Sequence, residues 1–188
     1  MNREEAFNIV NKYVSNESLI KHMLAVEAAM RLYAIKFGQD IEKWAIAGLL
    51  HDFDWEIHPT AEEHPIAGAQ ILIEEGVPED IVKAILTHAD HSGYPRTTLM
   101  EKTLYACDEI TGLITAVALV RPSRSLFDLE YKSIKNKWKD KSFAAGANRE
   151  EMLRGAEELG INLQEHVGNI ILAMRSIADA LGLAGSLD

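Results

Sequence analysis

The sequence is short of cysteine, of cationic side chains and of long apolar runs, and each shortage removes a class of protein. A single cysteine, Cys107, excludes an intrachain disulfide and gives no sign of an oxidising compartment. Nineteen Lys and Arg stand against 29 Asp and Glu, and the net charge of −10 opposes general binding to nucleic acid or anionic membranes. The longest apolar runs, 44–50 and 113–120, fall far short of the roughly 20 residues a membrane span requires. The opening residues MNREEAF carry acids and no apolar core, so they do not read as a secretory signal. No alternating β-branched run, hairpin signal, internal repeat or low-complexity tract is present. A soluble cytoplasmic protein is the expectation. The 188 residues, 47% of them hydrophobic, suit one domain with a sizeable core.

What remains is helical periodicity nearly throughout, which predicts an all-α fold. Helices are expected over 3–14, 18–37, 41–53, from 64–65 to just before Gly76, from Pro78 to about 88, 99–120, 124–139, 148–159 and 162–181. The second of them sets Leu19, Met23, Val26, Met30, Tyr33 and Phe37 on one stripe, with His22 on the same inward face. The third is apolar on every side and runs straight into His51-Asp52. Such a helix is buried, so it delivers an imidazole and a carboxylate into or beside the interior. His88 continues the stripe Ile81, Ile85, and Asp108 lies on the face of Thr111, Gly112 and Thr115.

His22, His51, Asp52, His88 and Asp108 therefore fall on inward faces or helix ends, and His64 stands at a helix start. Any one of them reads as a satisfied core histidine or a capping carboxylate. Together they read differently, because no lysine or arginine shares these faces to neutralise Asp52 and Asp108. A buried carboxylate needs a partner, and clustered His and Asp suit a divalent ion.

These residues also carry a resemblance. His22, then His51-Asp52, then Asp108, on successive helices, resemble the H…HD…D signature of the HD superfamily of metal-dependent phosphohydrolases. His64-Pro65-Ile66-Ala67-Gly68 is similar to the HPxxG element of its HDIG and HD-GYP branches, and 88–95 looks like a shortened HD-GYP stretch. Phe53-Asp54 stands where those branches have Ile-Gly. The resemblance covers roughly 18–120. It implies a single all-α HD domain spanning 1–188, with a metal-binding core over 18–120 and a helical extension over 121–188 that closes the site or forms an oligomer contact. It implies one ion held by His22, His51, Asp52 and Asp108, with Asp52 bridging to a second held by His64 and His88. Two divalent ions drawn from Fe, Mn, Co, Ni, Zn or Mg would set up hydrolysis of a phosphate ester in a small metabolite or nucleotide, with metal-bound hydroxide as nucleophile. The same ligand set resembles HD-fold di-iron oxygenases, and a non-catalytic nucleotide-binding module is a third reading.

Phosphate needs cationic contacts. Residues 121–141 carry seven Lys and Arg against three acids, and Arg121 and Arg124, directly after the Asp108 helix, are the candidates to grip it. The loop Asp54, Trp55, Glu56 and His58 either walls the pocket or is an ordinary loop, and His91 reads equally as a ligand, a substrate contact or surface. Cys107 reads as a core thiol and His166 as a surface residue.

Overall fold

A computed structural model describes residues 1–140 and 142–185. Lys141, the last cation of the basic segment, lies outside the described residues. Within them the chain is all-helical, with no strand: α1 (Arg3–Tyr13), α2 (Glu17–Phe37), α3 (Ile41–Leu50), α4 (Ile66–Glu74), α5 (Glu79–Thr87), α6 (Leu99–Leu119), α7 (Tyr131–Trp138), α8 (Arg149–Glu158), α9 (Leu163–Arg175) and α10 (Ala178–Leu181). No helix among the described residues is long and apolar enough to cross a membrane.

Local chemistry sets many of the boundaries. Asn16 accepts from the Ser18 and Leu19 amides to open α2, and Gly38 closes it in the left-handed conformation at φ 63°. Thr98 and Glu101 form a reciprocal capping box on α6, and Asn148 and Asn162 cap α8 and α9. α2 is the axis of the bundle, packed along α3 and against α6 and α9. Gly48 permits the α2–α3 approach, since a Cβ there would sit 2.9 Å from the Val26 carbonyl oxygen. All of Trp44–Leu50 is buried, and each fully buried leucine contributes about 2 kcal/mol from removal of apolar surface.

Three expected boundaries shift. α3 stops at Leu50, leaving His51 as its C-cap and 51–57 as consecutive turns. α7 begins at Tyr131 rather than 124, because the Leu126 and Leu129 carbonyls are taken by the Arg175 guanidinium at 2.8 Å each and the Leu126 amide donates to Leu183. The last long helix breaks at Ser176-Ile177 into α9 and α10. His166, expected on the surface, is fully buried. α9 packs on both α2 and α6, so Tyr33 Oη donates to Nδ1 at 2.6 Å and Nε2–H donates to the Ala106 carbonyl at 2.7 Å. Burial pushes this imidazole down to about 4. Cys107 is buried, as its place on α6 suggested.

Candidate metal centre

Five segments bring the six expected ligand residues to one place. His22 comes from the second turn of α2, His51-Asp52 from the end of α3, and His64 from just before α4. His88 is the C-cap of α5, and Asp108 lies mid-way along α6. Their donor atoms form two rings, His22/His51/Asp52/Asp108 and Asp52/His64/His88, within each of which all ligand atoms lie within 4.8 Å of one another.

Asp52 belongs to both rings through different oxygens. Its Oδ2 is 3.5 Å from His22 Nε2 and 3.5 Å from His51 Nε2. Its Oδ1 is 3.4 Å from both His64 Nε2 and His88 Nε2. Asp108 Oδ1 completes the first ring at 2.9 Å from His22 Nε2 and 3.5 Å from His51 Nε2. All four histidines therefore present Nε2 inward.

Their Nδ1 atoms are each engaged behind. His51 donates to the Gly48 carbonyl at 2.8 Å and His88 to the Ile85 carbonyl. His22 Nδ1 lies 3.3 Å from Thr111 Oγ1, whose own proton goes to the Asp108 carbonyl at 2.7 Å. His64 Nδ1 lies 2.8 Å from Asp54 Oδ1. With Nδ1–H bound in this way, the Nε2 lone pair is free for a cation. Imidazole nitrogen with carboxylate oxygen fits Zn, Fe, Mn, Co or Ni, so the donor set matches a pair of divalent ions.

The electrostatics agree. Burial alone would lower the His51 pKa, but Asp52 and Asp108 override it and hold it well above its ordinary value. Burial would raise Asp52, yet His51 first, then His88 and His22, hold its carboxyl well below the usual range. Asp108 is also lowered, by His22 and His51 against the effect of burial. Positive charge is what this cluster attracts.

The rings open on a cavity of about 520 Å³. Trp55, Ala89, Asp90 and His91 line one part of it, and Glu109, Gly112, Ala144, Gly146, Ala147 and Glu151 the rest. Burial and then the charge of Asp108 push Glu109 up to about 7. Trp55 stands edge-on to His64, ring centroids 4.9 Å apart. His91 reaches the cavity but its Nε2 donates to the His64 carbonyl at 2.8 Å, outside both rings. His58 faces Glu63 at 3.6 Å.

None of the described cations of the basic segment lines this cavity. Arg121 is bound to Asp128 at 2.6 Å and to Ser133 at 3.0 Å, and Arg124 occupies a left-handed turn at φ 47°. Neither lines the cavity, whose wall among the described residues carries no lysine or arginine. Asp54 reads as loop in the sequence, yet it is fully buried behind His64.

The all-helical core and the H…HD…D order define a class, and comparison with known proteins gives the family. The HD domain model matches residues 19–113, half of the chain, and the chain belongs to that family. It is 34% identical over 98 residues to ribonuclease Y of Nitratidesulfovibrio vulgaris (strain DP4), covering 52% of this chain and 18% of that protein. Ribonuclease Y of Desulfotalea psychrophila is 28% identical over 138 residues, 71% of this chain and 26% of the relative. The symmetrical bis(5'-nucleosyl)-tetraphosphatase of Bacillus subtilis is 30% identical over 132 residues, 58% of this chain and 69% of the relative. The chain thus spans less than a fifth of the length of the first of these ribonucleases. No solved structure matches it significantly.

Proposed function

We propose that this chain is a metal-dependent phosphohydrolase that cleaves a phosphate ester in a small metabolite or nucleotide. The observation that carries the reading is Asp52, whose two oxygens address two separate rings of ligands. His22, His51 and Asp108 would hold one divalent ion with Asp52 Oδ2, and His64 and His88 a second with Oδ1. Such a pair supplies an activated water and neutralises charge on the oxygens around phosphorus.

The chain's own residues do the rest. The four Nδ1 contacts fix the imidazole planes before any ion arrives, so little reorganisation accompanies binding. Trp55 and the small residues Ala144, Gly146 and Ala147 border the space left for the ester. Residues 121–188 act as an extension that closes the site, which is supported by the four cavity residues they contribute, Ala144, Gly146, Ala147 and Glu151. His64-Pro65 with Gly68 favours the HDIG-like branch. The names of the relatives, a ribonuclease and a bis(5'-nucleosyl)-tetraphosphatase, favour hydrolysis at phosphorus over an oxygenase, and the full ligand set favours an enzyme over a binding module. Gripping phosphate through Arg121 requires that it first release Asp128.

The test is a panel of phosphomonoesters and diesters with chain reconstituted in Mn, Co, Ni, Fe or Mg. Release of phosphate or of a nucleotide product that disappears in Asp52→Ala supports the proposal. No turnover with any ion, or turnover that survives Asp52→Ala, refutes it.

A further inference from the structure

Asp54 is fully buried. Its Oδ1 takes the His64 Nδ1–H at 2.8 Å, and its Oδ2 has no hydrogen-bond partner among the described residues. Its only ion-pair partner there is His64. A carboxylate sealed from water with one oxygen unbonded is costly, so its retention calls for a compensating interaction.

The surroundings are shaped for it. Gly68, in the first turn of α4, faces the carboxylate, and a Cβ there would lie 2.3 Å from Oδ2 and 2.4 Å from Cγ. Any side chain at 68 would displace Asp54. The other three histidines lean on neutral acceptors, two backbone carbonyls and a threonine hydroxyl. His64 alone has a carboxylate behind it.

The two rings also differ in charge. The first contains two carboxylates, Asp52 and Asp108, whereas the second contains only Asp52, which it shares. A divalent ion in the second ring is therefore under-neutralised by its direct ligands. Asp54 lies one imidazole away, on the side of His64 remote from the cavity.

We infer that Asp54 is a positioning residue for the second divalent ion, supplying through the His64 ring the negative charge that this ring of ligands lacks. The carboxylate polarises Nδ1–H, makes Nε2 a stronger donor and fixes the plane of the imidazole. Gly68 is its counterpart, keeping the space the carboxylate occupies. This inference rests on the two-ion reading above and assigns to Asp54 the asymmetry between the two sites.

The test titrates metal-free chain with Mn2+ alone, following stoichiometry by equilibrium dialysis and ion–ion coupling by electron paramagnetic resonance. Wild type takes two ions. Asp54→Asn keeps an oxygen for His64 but removes the charge, so the first ion binds as before and the second about 10–100-fold more weakly. Gly68→Ala, which leaves the charge but crowds the carboxylate, weakens the same ion and carries the test if Asp54→Asn does not fold. In a His64→Ala chain, adding Asp54→Asn lowers the second affinity no further, because the path through the ring is already gone. Unchanged affinities in both folded variants, or an equal fall at both sites, overturn the inference while leaving the two-ion reading intact. A wild-type chain that takes only one ion overturns both.

Discussion

Replacing His166 with phenylalanine tests the packing of α9 through a pH dependence whose size follows from the structure. The imidazole is fully buried, accepts from Tyr33 Oη and donates to the Ala106 carbonyl. Its pKa is pushed down from 6.5 to about 4 by burial. A depressed histidine leaves the folded state with fewer bound protons than the unfolded state between those two values. Stability is then fully present above the unfolded pKa and is lost as pH falls toward the folded one. The full shift is worth about 3 kcal/mol, of which about 2 kcal/mol is gone by pH 5. His166→Phe gives up two hydrogen bonds, costing about 1–3 kcal/mol at pH 7, but has nothing to titrate. Urea denaturation of both chains at pH 7 and pH 5, with chelator present, measures the difference. The gap between them should close by about 2 kcal/mol, and the order of stability reverses if the neutral-pH cost is at the low end. Parallel stability curves would falsify the assignment of a neutral, buried His166.

His88→Ala removes a ligand from the second ring only, so equilibrium dialysis should find the first ion held as in wild type and the second markedly weakened. Gly155→Ala places a Cβ 2.6 Å from Ala106 Cα, where α8 crosses α6. The overpacking costs about 1–3 kcal/mol, and a melting temperature equal to wild type would contradict the close approach. Trp55→Ala opens the cavity wall and keeps all six ligand residues, though it removes the edge-on contact with His64, and the expected result is a rise in KM of up to about tenfold with kcat less affected. Arg121→Ala breaks contacts to Asp128 and Ser133 that lie away from the cavity. Steady-state kinetics should be unchanged, and a large KM increase would return Arg121 to the phosphate.

The helical pattern and the inward facing of the separate ligand residues were legible because both depend on local spacing, whereas the convergence of all six was implied by the resemblance to the HD superfamily. His22 on an apolar stripe, His51-Asp52 after an apolar helix and His88 on the stripe of Ile81 and Ile85 point inward by periodicity alone. Capping is equally local, and Asn16, Asn148 and Asn162 stand at the starts of α2, α8 and α9. The start of α7 was not legible, since residues 121–130 are held open by Arg175 and by the segment around Leu183, more than forty residues away in sequence. His166 follows a glutamate and carries no motif, and only the packing of α9 against two other helices buries it. Asp54 is polar and sits in a loop, and its burial depends on the glycine at 68.

The placement of the ligand histidines on their helices explains what stands behind each of them. The last four carbonyls of a helix lack an intrahelical partner. His51 and His88 are both C-caps, so the carbonyl three residues earlier, at Gly48 or Ile85, is available to take Nδ1–H. The negative end of the helix dipole favours that proton as well. His22 lies within α2, where the carbonyls are committed to the helix, and its partner is the Thr111 hydroxyl from α6. His64 precedes α4, at an end that offers amide donors rather than carbonyl acceptors. No spare carbonyl of that helix can reach behind its ring, so the acceptor has to be a side chain, and Asp54 is the one placed there. The side-chain acceptor at position 54 thus fits where His64 sits relative to its helix, and the glycine at 68 fits the space that the Asp54 carboxylate occupies.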